Sequence, residues 1–84
     1  MYFYIYMILT KINGRYVSYV GYTKNLKKRL SLHNSSKGAK FTKGKKWKMI
    51  YSKRFSSKSI AMKEEYLLKK DFKKRNIIKA KYIR

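Results

Sequence analysis

Few side chains in this chain can move protons or hold ions: among 84 residues there are three acids, one histidine and no cysteine. Glu64, Glu65 and Asp71 lie close together in sequence, so a two-metal site, which gathers carboxylates from several elements, is not expected. One carboxylate and one divalent ion is the most the chain easily supplies. A lone His33 without cysteine removes the usual Cys/His zinc site, thiol nucleophiles and disulfide frameworks. Tyr6 and Tyr19 on one sheet face, Arg29 and His33 from the next helix and an acid from Glu64 and Glu65, by the register and helical repeat set out below, make a set suited to phosphodiester hydrolysis. That reaction needs an activated water, charge stabilisation on the non-bridging oxygens and help for the departing oxygen. A phenol titrates at about 10, but a crowd of cations favours phenolate, so a tyrosine is expected to accept a proton here. Arg29 matches phosphate with its planar fork of donors. Glu65 is placed to hold one Mg²⁺, an ion that typically takes one or two carboxylates and otherwise keeps waters and substrate phosphates.

The elements that must position these groups are readable in part. Tyr2 to Leu9 and Tyr16 to Tyr22 are rich in aromatic and β-branched residues at strand length. Asn13-Gly14 between them tolerates the positive φ of a two-residue type I′ turn. With those two residues central, Ile12 faces Arg15, Ile8 faces Tyr19 and Tyr6 faces Gly21. Tyr6 and Tyr19 then share a face as diagonal neighbours, and Gly21 leaves an open place beside them that allows close approach. Thr23 or Asn25 caps a helix to about His33, with Leu26 and Leu30 inward and Arg29 and His33 one turn apart on the flank of that stripe. Residues 34 to 46 read as a loop with five lysines around Phe41. Trp47 to Phe55 returns to strand character, Trp47, Met49 and Tyr51 alternating against Lys48, Ile50 and Ser52. A helix over Lys58 to Phe72 follows, with Ile60, Ala61, Leu67, Leu68 and Phe72 as its apolar arc. The tail holding Ile77, Ile78, Tyr82 and Ile83 is expected to add a short helix. On the wheel of the Lys58 to Phe72 helix Glu64 sits nearer mid-arc and Glu65 at its edge. An unpaired carboxylate in mid-core is costly, so the edge position better suits a metal ligand.

The charge is +21 at pH 7, from 24 cations and three acids, and such a density repels itself unless a polyanion lies against it. Residues 1 to 22 carry two cations, 23 to 54 carry twelve and no acid, and 55 to 84 carry ten with all three acids. A nucleic acid is therefore the expected partner, gripped mainly by the middle segment through Lys24, Lys28, Lys37, Lys40, Lys43, Lys45 and Lys46. Hydrophobic residues at 44%, aromatics at 17%, no proline and no repeat predict one folded domain over residues 1–84. Met1 to Leu9 is too short to span a bilayer and has no signal-peptide flanks, so an intracellular protein is expected, in cytoplasm or nucleoid or nucleus. Neither a membrane partner nor a small-molecule substrate is expected.

The order of residues is that of a known family. Tyr4-Ile5-Tyr6, then Tyr19-Val20-Gly21, then Leu26 to Asn34 resembles the GIY-YIG nuclease superfamily. The runs Ser36 to Gly44 and Ala61 to Lys70 resemble its small stand-alone bacterial-type branch, akin to the nuclease domain of Slx-type structure-specific endonucleases. The resemblance covers nearly the whole chain. It implies an α+β fold, a small three-stranded antiparallel sheet flanked by helices. It also implies hydrolysis of DNA, duplex or branched, to 5′-phosphate and 3′-hydroxyl ends with one Mg²⁺ or Mn²⁺. By position, Tyr6 would contact the attacking water as the base-like residue and Tyr19 would position that water or the phosphate. Arg29 would stabilise the phosphoryl oxygens, His33 would move protons to or from Tyr6, and Glu65 would ligate the ion. The family register selects Glu65 over Glu64. Tyr4 stands where the first motif has a small or aliphatic residue, and Tyr22 where some members have lysine. Asn76 does not match the surroundings of the asparagine many members carry. An accessory protein for target choice fits so short a chain.

Taken singly, each residue has a plainer reading. Tyr6 and Tyr19 are common strand aromatics, Arg29 a solvated cation, His33 a cation favoured by a helix C-terminus, and Glu65 a partner for Lys69 at i+4. Their joint occurrence favours one site. The competing classes are a non-catalytic nucleic-acid-binding module on the same scaffold and a ribosome-associated basic protein.

Overall fold

The structure, a computed structural model, describes residues 1–83. Strand β1 (Phe3–Ile12) turns at Asn13 (φ 50) and Gly14 (φ 78) into β2 (Arg15–Thr23), and the two positive φ values are those of a type I′ turn. The turn fixes the register: Ile12 faces Arg15, Ile8 faces Tyr19 and Tyr6 faces Gly21. Helix α1 (Leu26–Asn34) begins at Asn25, whose Oδ1 accepts the Lys28 N–H at 3.0 Å. Thr23 Oγ1 in turn accepts the Asn25 N–H, so the two candidate caps act in series. After the loop comes β3 (Lys48–Phe55), antiparallel to β1 on its other side, giving the order β2-β1-β3 and leaving β2 as an edge. Helices α2 (Lys58–Lys70) and α3 (Phe72–Ile83) complete an α+β architecture of three strands and three helices.

Each face of the sheet has its own core. Tyr6, Ile8 and Trp47 pack with Leu26 and Leu30 of α1, whereas Ile5, Met7 and Val20 pack with Ala61 and Leu68 of α2. Strand β1 supplies both, alternate side chains going to opposite faces.

Three expected details change. Strand β3 does not alternate throughout: Met7 faces Tyr51 but Ile8 faces Met49, so Ile50 is the extra residue of a bulge. Met49 therefore joins Trp47 on the α1 face, while Ile50 and Tyr51 both reach the α2 face. The apolar arc of α2 is narrower than the wheel implies, because only Ala61 and Leu68 are buried, with Ile60, Leu67 and Phe72 about half or more exposed. The chain breaks after Lys70 instead of running to Phe72. Asp71 caps α2 and starts α3, its Oδ1 accepting the Lys74 N–H at 3.0 Å, and the tail becomes a helix of 12 residues.

Candidate active site at the edge of strand β2

Tyr6 lies across β2 toward its free edge, because Gly21 opposite has no side chain to stop it. A β-carbon at Gly21 would run into the Tyr6 hydroxyl end of the ring. The open place expected at Gly21 is thus filled by Tyr6 itself, and Gly21 is buried, not part of a DNA-facing surface. The phenol ends at His33, whose Nε2 is 2.7 Å from Tyr6 Oη, and both residues have no exposed surface. His33 is therefore enclosed and not on a flank. The loop after α1 crosses it, with Gly38 against the imidazole and Thr42 Oγ1 at 2.8 Å from Nδ1.

The loop also settles the tautomer. Thr42 Oγ1 accepts the Ala39 N–H at 3.2 Å and donates to the Ala39 carbonyl at 3.0 Å. A hydroxyl has one hydrogen, so its second lone pair accepts from His33 Nδ1–H. Nε2 is then the acceptor, and Tyr6 donates to it. Thr42, fully buried, is a site member that reading the sequence missed, since nothing in the loop sets it apart from the other hydroxyl residues Ser35 and Ser36. Trp47 holds the loop down by donating Nε1–H to the Thr42 carbonyl at 3.1 Å, and Asn34 clasps Trp47 through its backbone N–H and C=O.

Arg29 comes from α1 to the same oxygen. Its Nε–H donates to Tyr6 Oη at 3.3 Å and its Nη2–H to the Gly38 carbonyl at 3.2 Å, leaving three of the five donors free. Tyr19 stands beside them, its ring edge-on to His33 with centroids 5.2 Å apart, as the Tyr6 ring is at 5.7 Å. Burial raises the Tyr6 pKa above 10, with Arg29 opposing, so the cations do not yield a resting phenolate. Burial and then Arg29 lower the His33 pKa below 6.5, so the imidazole is neutral at physiological pH.

Glu65 reaches this cluster from the other layer. It is on α2, its side chain 17% exposed and paired with Lys69 at 3.6 Å, and near enough to Tyr6 for its charge to add to the upward push on the phenol. Glu64 turns the other way, toward Tyr51 and Lys53 of β3. Of the two neighbouring carboxylates, Glu65 is thus the one whose charge is felt at Tyr6. Among the described residues no three His, Cys, Asp or Glu gather into a metal cage. One half-buried carboxylate at an open strand edge suits a Mg²⁺ that keeps water and takes phosphate oxygens, and it does not suit a closed structural site.

The expected DNA-contacting lysines divide. Lys28 on α1 and Lys37, Lys40 and Lys43 on the loop are exposed around the site. Lys45 is turned inward, donating to the Phe41 and Lys43 carbonyls at 3.0 and 3.4 Å. Lys46 sits toward the hairpin end beside Thr10 and Lys11, and Lys24 lies over the Phe3 ring, so neither joins the cluster.

Known proteins are similar to this chain in sequence and fold. The family model described as the GIY-YIG catalytic domain matches residues 2–79. A UPF0213 protein of Staphylococcus haemolyticus is 43% identical over 67 residues, 79% of this chain and 78% of that one. One from Oceanobacillus iheyensis is 50% identical over 52 residues, 61% of this chain and 60% of that one. The aligned chain thus spans between 60% and 78% of these relatives' own lengths. The solution NMR structure of the UPF0213 protein BH0048 from Bacillus halodurans is similar with a TM-score of 0.50 and 32% identity, covering 98% of this chain and 85% of that one. With the motif residues in place on a shared fold, the chain belongs to the GIY-YIG family, a nuclease superfamily.

Proposed function

We propose that the protein is an endonuclease that hydrolyses DNA phosphodiesters with one divalent ion and little sequence preference. The observation that carries this reading is the buried hydrogen bond from Tyr6 to neutral His33, with Arg29 donating to the same phenol oxygen. A buried phenol needs a hydrogen-bond partner in any case, but a neutral imidazole, unlike a backbone carbonyl, can also take up the proton that the phenol gives away. As the attacking water gives its proton to Tyr6 Oη, Tyr6 passes its own to His33 Nε2, so neither a free phenolate nor hydroxide has to accumulate. Arg29 is the half-buried part of the cover over Tyr6. Turning its free donors to the phosphate steadies the charge on the non-bridging oxygens and uncovers the phenol oxygen. Tyr19 holds the water or phosphate in line. The water oxygen bonds to phosphorus as the bond to the 3′-oxygen breaks, and the departing 3′-oxygen takes a proton from solvent water, leaving 5′-phosphate and 3′-hydroxyl ends. Glu65 would hold the Mg²⁺ or Mn²⁺, which when bound supplies Lewis-acid stabilisation of the phosphate and departing oxygen.

Labelled duplex, flapped, Y-shaped and four-way DNA incubated with Mg²⁺ or Mn²⁺ tests this. Cleavage should appear with wild type and fall at least about a hundredfold in Arg29→Ala and Glu65→Gln. Cleavage unchanged in both variants refutes the chemistry. The second reading, a non-catalytic DNA-binding module, draws on the complete cover over Tyr6 and on the Glu65–Lys69 pair. It predicts DNA retention in gel shifts with no cutting in any metal. The nuclease reading predicts that EDTA abolishes cutting while retention survives.

A further inference from the structure

Phe41 is half exposed on a loop of lysines, although its neighbours Thr42 and Trp47 are buried. Its ring lies nearly parallel to that of Tyr19, at 19° with centroids 6.1 Å apart, and against Trp47 at 6.1 Å behind. The aromatic wall so formed bounds a cavity of about 270 Å³ at the β2 edge, lined by Ser18, Tyr19, Val20, Phe41, Lys69 and Arg75. The opposite side is cationic. Lys69 comes from α2 and is half exposed, and Arg75 comes from α3 with its Nε buried and lacking any partner. Folding has thus placed an aromatic wall beside two cations, one of them with a buried donor short of an acceptor.

A planar ring carrying an anion satisfies both halves. Resting on the nuclease reading of the adjoining site, which shares Tyr19, we infer that this cavity holds one unpaired nucleotide of the cleaved strand. Its base lies against Phe41 and its phosphate between Lys69 and Arg75. A base within continuous duplex already has both faces stacked and cannot offer one to Phe41, whereas an unpaired base can. The substrate class is therefore DNA with a single-stranded segment beside the cleavage point. Acceptance of the phosphate also draws Lys69 from Glu65, freeing that carboxylate when DNA is bound.

Fluorescence anisotropy in EDTA, with oligothymidine and a blunt duplex of equal length, reads the cavity without any cleavage. Phe41→Leu keeps apolar bulk against Trp47 but removes the stacking surface. It should lower the affinity for oligothymidine relative to duplex by about 5- to 100-fold, while Phe41→Tyr keeps the wild-type ratio. Arg75→Gln should lower the salt dependence of oligothymidine binding by about 0.7 in log–log slope, one phosphate contact. If Phe41→Leu reduces both affinities equally, or neither, the assignment is wrong. The two readings fail separately. Discrimination by Phe41 without cutting of any DNA removes the nuclease and leaves the cavity. Cutting with a Phe41-independent ratio of flapped to blunt rates removes the cavity and leaves the nuclease.

Discussion

Tyr6 and His33 are defined by burial. A phenol held above 10 and an imidazole held below 6.5 are both neutral across the physiological range, the condition under which one can donate to the other. Two pH effects follow. Because the folded His33 pKa lies below its unfolded value, the unfolded state binds the extra proton first, so stability is full above about pH 6.5 and declines as pH falls below it. Urea titrations between neutral and mildly acidic pH should show this decline in wild type and less of it in His33→Gln. Protonated His33 also cannot accept from Tyr6, so kcat/KM should lose activity along an acid limb lying below pH 6.5. A plateau extending through the whole acid range would argue against the relay. Gly21→Ala should destabilise by about 1–3 kcal/mol, since its methyl meets the Tyr6 hydroxyl, and a thermal melt reads this directly. The pairing of Tyr6 with Gly21 was legible because the hairpin turn sets their register. The burial of His33 and the role of Thr42 were not, because both depend on how an irregular, lysine-rich loop folds back, and hydrophobic periodicity is silent on such segments.

At the scale of elements, the hairpin and α1 follow from local signals that agree with one another: a turn that requires positive φ, and a cap residue directly before the helix. The rest needed tertiary information. The bulge at Ile50 puts Met49 and Tyr51 on opposite faces of the sheet, and no residue type in that run announces it. Asp71 did carry a signal, an N-cap residue immediately before a helical segment, but the unbroken run of helix formers around it masked the boundary. The break matters, because it turns α3 back and brings Arg75 to the β2 edge beside Lys69. Asp71→Ala should cost about 1 kcal/mol by chemical denaturation. The same change should weaken oligothymidine binding more than duplex binding, through the loss of Arg75 placement. Leu68→Ala, which opens the core under α2, should cost about 2–5 kcal/mol, enough to threaten the fold of so small a chain.

Across the whole molecule the charge of +21 sets two opposed responses to salt. Screening relieves self-repulsion, so the melting temperature should rise with added sodium chloride. The same ions compete for DNA phosphates, so affinity should fall steeply, and Lys37→Ala, Lys40→Ala and Lys43→Ala should each reduce the log–log slope by about 0.9 on duplex. Composition points to a polyanionic partner, yet composition alone fits any cationic binder. The step from binder to enzyme depends on whether the enclosed Tyr6–His33 pair does chemistry. Single-turnover cleavage of saturating labelled DNA by wild type and Tyr6→Phe asks that most directly, since the variant deletes one oxygen and keeps the ring that fills the place over Gly21. A rate about 10²- to 10⁴-fold lower at unchanged DNA affinity is the expected result. A Phe variant that cuts as fast as wild type would show that the tyrosine only fills space.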